Sequence, residues 1–161
     1  MRMRMFGWLM VGVCLLTLAA VDASAATSRS TVGTWKLDVA KSSYGNMPAP
    51  KFEQLVIMTD KADALKWNLK GLSADGKSFV SLYDGPIDGN YHPLTSNRTG
   101  STVAYTRTAS GVQWTTKDKS GAVIETGSGQ LSSAGDTLTI KGTVMGPGGE
   151  QDFISVFQRV Q

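Results

Sequence analysis

The sequence predicts an all-β chain folded as an antiparallel up-and-down β-barrel of about eight to ten strands. Three observations carry the prediction. Runs of β-branched, aromatic and aliphatic residues recur along the chain, separated by clusters of Gly, Asp, Ser and Pro. Several runs alternate apolar and polar residues, and none shows the 3.6-residue period of an amphipathic helix. Most joints between runs are short, so neighbouring strands pair antiparallel in chain order.

The first residues belong to a different kind of segment. Arg2 and Arg4 precede an almost wholly apolar stretch from Met5 to Val21, and Ala23-Ser24-Ala25 then places small residues where a signal peptidase reads them. This is the pattern of a secretory signal peptide cleaved after Ala25. A membrane anchor would need a longer apolar run and basic flanking residues. Lipidation at Cys14 would need a better box than Val11-Gly12-Val13 and more apolar sequence upstream. The expectation is a single exported domain over residues 26–161, periplasmic or secreted, with no membrane span after cleavage. Cys14 is the only cysteine. The mature chain therefore has no disulfide, and its core alone holds the fold.

The strands are expected in order. Val32 to Asp38 comes first, followed by a breaker-rich stretch ending in Pro48-Ala49-Pro50 that holds at most a short helical turn. Phe52 to Thr59 is next. Ala64 to Leu72 follows the polar turn Asp60-Lys61-Ala62-Asp63, and Asp75-Gly76 is a hairpin signal leading into Ser78 to Tyr83. Residues 84–100 read as a long irregular connection with a short strand around Asn90 to Leu94. Regularity returns with Thr102 to Thr108, Gly111 to Lys117, Ala122 to Leu131, Thr137 to Val144 and Asp152 to Val160. A meander of this length must close or split into two layers. Closure removes exposed edges. The runner-up, a β-sandwich, would want longer crossovers than most of these joints supply.

Alternation assigns the inward faces. Leu65, Trp67 and Leu69 oppose Lys66, Asn68 and Lys70; Val112 and Trp114 oppose Gln113, Thr115 and Lys117; Leu138, Ile140 and Val144 oppose Thr137, Thr139 and Lys141. One face is dry and one is wet, and in a barrel the dry face is the interior. Gly127 and Gly129 are expected to mark a bulge or a close strand crossing.

Gly33-Thr34-Trp35 resembles the opening G-x-W signature of the lipocalins. Gly33-Thr34-Trp35-Lys36-Leu37 is also similar to the first strand of the fatty-acid-binding proteins, which belong to the same calycin superfamily. The run from Trp35 to Ser42, with Pro48-Ala49-Pro50 after it, resembles exported bacterial lipocalin-like proteins. So do Tyr83-Asp84-Gly85, His92-Pro93-Leu94-Thr95, Asp136 to Ile140 and Val156-Phe157-Gln158-Arg159. The resemblance implies a calycin barrel closed by Gly33 and Trp35, with Arg159 stacked on the indole. A guanidinium on an indole face contributes about 0.5–2 kcal/mol. Two departures limit it. No helical lid follows the first strand, and Phe153 to Arg159 lacks the Arg-x-Tyr pair that fatty-acid-binding proteins use on a carboxylate. A fatty-acid role is therefore not carried over.

Few residues point to chemistry. With one histidine, His92, no cysteine after cleavage and no clustered carboxylates, no metal site, cofactor cradle or catalytic set is expected. Gly127-Ser128-Gly129 and Gly146-Pro147-Gly148-Gly149 do not join a strand to a helix, so neither is a phosphate loop. The net charge of +3 is scattered, with no basic stripe, which argues against nucleic acid as a partner. The ligand-binding candidates are Trp67, Tyr105, Arg107 and Trp114. Arg107 follows Val103 and Tyr105 on a dry face, where a buried cation needs an anion. It either holds the head of an anionic amphipath or reaches solvent at the strand end. The expected function is a monomeric, non-enzymatic protein binding a small hydrophobic or amphipathic ligand inside the barrel. The alternative is a filled barrel acting as an interaction or stress-related envelope protein.

Overall fold

A computed structural model describes residues 30–97, 101–146 and 148–160. The expected signal peptide and its Cys14 lie outside the described residues. The rest is all-β: β1 (Gly33–Leu37), β2 (Phe52–Asp60), β3 (Ala64–Leu72), β4 (Ser78–Pro86), β5 (Tyr91–Pro93), β6 (Thr95–Ser96), β7 (Thr102–Thr108), β8 (Gly111–Lys117), β9 (Val123–Leu131), β10 (Thr137–Gly146) and β11 (Gly149–Arg159). A single 3₁₀ turn, Val39–Lys41, follows β1 and stops well before the prolines.

All eleven strands form one antiparallel sheet in the order β5-β7-β8-β9-β10-β11-β1-β2-β3-β4-β6. The first and last strands of the chain pair, with Trp35 opposite Arg159 and Leu37 opposite Phe157. The two ends of the sheet, β5 and β6, are consecutive in sequence and separated only by Leu94. The sheet thus curls into a nearly closed barrel, as the short joints predict, and the sandwich alternative is set aside.

The irregular connection is where expectation and structure differ most. One short strand was expected around Asn90 to Leu94; two are present. The chain runs back antiparallel to both β4 and β7. Its first half pairs with β7, Tyr91 opposite Ala104. Its second half pairs with β4, Ser96 opposite Ser81. Asn97 continues the second ladder with its side chain, Oδ1 accepting from the Val80 N–H at 2.8 Å. The switch from one edge to the other falls at Pro93-Leu94, where proline offers no N–H donor.

The glycines of β9 also differ from expectation. Register is continuous from Glu125 to Leu131 against β10, with Gly127 opposite Gly142 and Gly129 opposite Ile140. The register shifts fall instead between Ile57 and Thr59 and between Thr116 and Lys117. Gly127 is a seat for an aromatic ring. A Cβ there would overlap the benzo ring of Trp114, its cross-strand partner. Gly142 is likewise covered by the ring of Phe153, and Gly71 by that of Phe79.

The core is one buried cluster from β1 to β4, β7, β10 and β11, with Val112 and Trp114 of β8 and Leu131 of β9 packed partly buried against it. It includes Trp35, Leu37, Leu55, Ile57, Leu65, Tyr83, Val103, Tyr105, Leu138 and Phe157. Burying such side chains supplies about 1.5–3 kcal/mol each before entropy is subtracted. Among the described residues no helix is long and apolar enough to cross a membrane.

Candidate functional site in the barrel interior

The antiparallel meander puts the start of β1 and the ends of β2, β4, β7, β9 and β11 at one end of the barrel. Trp35 lies there, 0% exposed. The Arg159 guanidinium carbon sits 4.2 Å from the centroid of its ring system. Arg159 also donates to three backbone carbonyls: Nε to Gly135 at 2.9 Å, Nη1 to Val32 at 2.8 Å and Nη2 to Ser30 at 2.7 Å. Gly33 makes room for this clasp. Its φ is +146°, and a Cβ would stand 2.6 Å from Arg159 Nη1.

Arg107 points inward at the same end. Its Nη2 donates to Asp60 Oδ1 at 2.6 Å and to the Lys61 carbonyl. Asp60 also accepts from the Thr31 hydroxyl. The guanidinium thus ties the end of β7 to the turn after β2.

An arc of aromatic rings crosses the middle. Ring centroids are 6.5 Å apart for Trp67–Tyr83, 4.8 Å for Tyr83–Tyr105 and 6.2 Å for Tyr105–Trp114. Each polar tip in the arc has a partner. Trp67 Nε1 donates to the Tyr105 hydroxyl at 3.0 Å, Trp114 Nε1 to Glu125 Oε1 at 2.9 Å, and the Tyr83 hydroxyl to the Pro86 carbonyl at 2.7 Å. Burial pushes the Tyr105 phenol well above its ordinary range, and nearby Glu125 adds to the rise. Tyr105 therefore stays neutral and acts as a hydrogen-bonding post for Trp67. The structure brings Trp67, Tyr105 and Trp114 together, with Arg107 one inward position beyond Tyr105 on β7.

Sequence reasoning passed over the polar half of the interior. The buried polar residues Glu53, Ser81, Thr116 and Ser155 all occupy inward positions in register with core residues. Glu53 and Thr116 lie toward the end opposite Trp35, and the inward Glu125 joins them. Tyr44, from the segment after the 3₁₀ turn, reaches over to Ser155 with its hydroxyl 2.9 Å from Oγ. Ser81 and Ser96 share a hydrogen bond at 2.8 Å across the split strand. The signal for them was the same period-2 alternation, carried one position further: Glu53-Leu55-Ile57, Val112-Trp114-Thr116 and Phe153-Ser155-Phe157.

The inner wall is uneven in accessibility. Tyr83, Val103, Tyr105 and Phe157 are buried, whereas the inward Trp67, Leu69, Trp114 and Ile140 are only partly so. Trp114 and Phe153 lie back against glycines rather than across the axis. No group of three or more metal-ligating side chains occurs among the described residues. His92 pairs with Asp88 at 2.9 Å in the turn between β4 and β5.

No protein-family model matches the chain, and no curated protein matches it. Among solved structures it is similar to a crystal structure of zebrafish ileal bile acid-binding protein complexed with cholic acid. The identity is 11%, the match covers 81% of this chain and 100% of that one, and the TM-score is 0.47.

Proposed function

We propose that this chain is an exported, non-enzymatic lipocalin-like protein that binds a small amphipathic ligand inside its barrel. One observation carries the reading: apolar side chains on the inner wall remain accessible beside neighbours that are buried. Such a lining suits the apolar body of a ligand, and the polar side chains beyond it suit a head group. Trp67 and Trp114 would meet the ligand face-on, because hydrogen bonds at their ring edges fix both indoles. Tyr105 would position Trp67. Arg107 would stay with Asp60, stabilising the end that Trp35 closes, so the head group would be read by the polar half around Glu53, Thr116, Glu125 and Ser155.

Native mass spectrometry of the protein purified from its own host tests the reading. A small molecule that co-purifies, and that Trp67→Ala and Trp114→Ala both weaken, is the expected result. Repeated recovery of the bare chain, with tryptophan emission unmoved by amphipathic dyes, would favour the filled-barrel alternative.

A further inference from the structure

The sheet from β7 to β11 carries a second feature. A groove of about 730 Å³ crosses β7 to β11, lined mainly by outward positions and bordered also by Trp114, Gly127, Gly142 and Phe153 of the inward row. That volume lies within the range of small-molecule clefts, about 300–1,000 Å³. Its floor is hydroxyl-rich. Thr115 on β8 stands opposite Thr126 on β9, and Thr126 opposite Thr143 on β10. In the adjacent row, Thr106 is opposite Gln113, and Gln113 opposite Ser128.

Two observations point to what this groove would hold. The first is unspent hydrogen-bonding capacity. Thr143 donates to Asp152 at 2.7 Å. The other five polar side chains make no side-chain hydrogen bond with any described residue, although a hydroxyl or amide both donates and accepts. The second is an aromatic ring held at the margin. Tyr91 is 42% exposed, lines the groove and is fixed by Lys117 Nζ, 4.0 Å from its ring centroid. A ring has two faces, and Lys117 takes one of them.

We infer that this outer groove binds a neutral oligosaccharide. Sugar rings present hydroxyls that pair with Thr, Ser and Gln, and C–H faces that stack on tyrosine. The charged groove residues are Lys141 and Asp152, one of each sign, so the wall attracts neither a polyanion nor a polycation. A protein partner would want an apolar centre; here the exposed large apolar side chains are Tyr91 and Ile154, set among hydroxyls, whereas Met58, Leu72, Val80 and Leu82 expose a separate set on β2 to β4.

The test is amide NMR of the full chain titrated with maltotetraose, cellotetraose and chitotetraose. At least one is expected to saturate, with shifts centred on the outward residues Thr106, Gln113, Thr115, Thr126, Ser128 and Thr143. Tyr91→Ala and Gln113→Ala should each weaken that sugar at least tenfold, with circular dichroism unchanged. Failure of all three sugars to saturate would overturn the inference. So would shifts confined to lumen residues, or groove shifts that follow protein concentration alone and so report contact between copies.

Discussion

At Trp35 three chemical demands converge on one point. The indole is fully buried, its Nε1 donates to the Thr31 carbonyl at 2.8 Å, and a guanidinium covers one face. Trp35→Ala removes the packing and leaves a cavity, so a loss of about 3–5 kcal/mol is expected in chemical denaturation. An unchanged denaturation midpoint would contradict it. Gly33→Ala attacks the same clasp from the other side, because a methyl there meets Arg159 and the backbone is in a region L residues avoid. Inside the barrel, Gly127→Ala pushes against the Trp114 ring itself. The ring must leave its seat or the strands must part. A loss of about 1–3 kcal/mol is expected from such overpacking. A changed near-ultraviolet dichroism spectrum should accompany it, and a spectrum identical to that of the parent chain would show that the seat is dispensable.

Among the elements, the split strand depends most on its turn. Asp88 accepts from the Asn90 N–H and from His92, each at 2.9 Å. The Asn90 backbone bond first, and His92 second, hold the Asp88 carboxyl down to about 2 from an ordinary 3.8. A carboxyl lowered in the fold stabilises at pH above its ordinary value and stops doing so as pH falls through its folded one. Amides of residues 89–92 should therefore lose hydrogen-exchange protection as pH drops from about 4 toward 2, relative to those of β10. Asp88→Asn should flatten that dependence. If it persisted in Asp88→Asn, another group would have to be responsible. This region was also the least legible from sequence. Alternation and turn dipeptides placed β3, β7 and β8 to the residue. Thr95–Ser96 offers two polar residues just after Pro93-Leu94, and only its neighbours across the sheet make it a strand. The arc of Trp67, Tyr105 and Trp114 was legible from alternation because its members are apolar. Glu53, Thr116 and Ser155 share the same faces but are of types usually found in water. The partner of Arg107, Asp60, is the last residue of β2, and no local pattern links it to β7.

For the whole molecule, closure makes the strands interdependent. β11 pairs with β10 on one side and β1 on the other. The core cluster takes Trp35 and Leu55 from one half of the chain and Leu138 and Phe157 from the other. Neither half has a core of its own, so no stable sub-barrel is available as an intermediate. Equilibrium unfolding should then be a single transition, with tryptophan emission and far-ultraviolet dichroism superimposable along the denaturant axis. Removing residues 149–161 should abolish the transition rather than lower its midpoint, because the cut leaves two edges unpaired and uncovers Trp35. Two separable transitions in the full chain, or a cooperative transition in the truncated one, would show that part of the ring holds together without closing. A ligand in the lumen contacts several strands at once, so by mass action it should raise the midpoint while leaving the transition single.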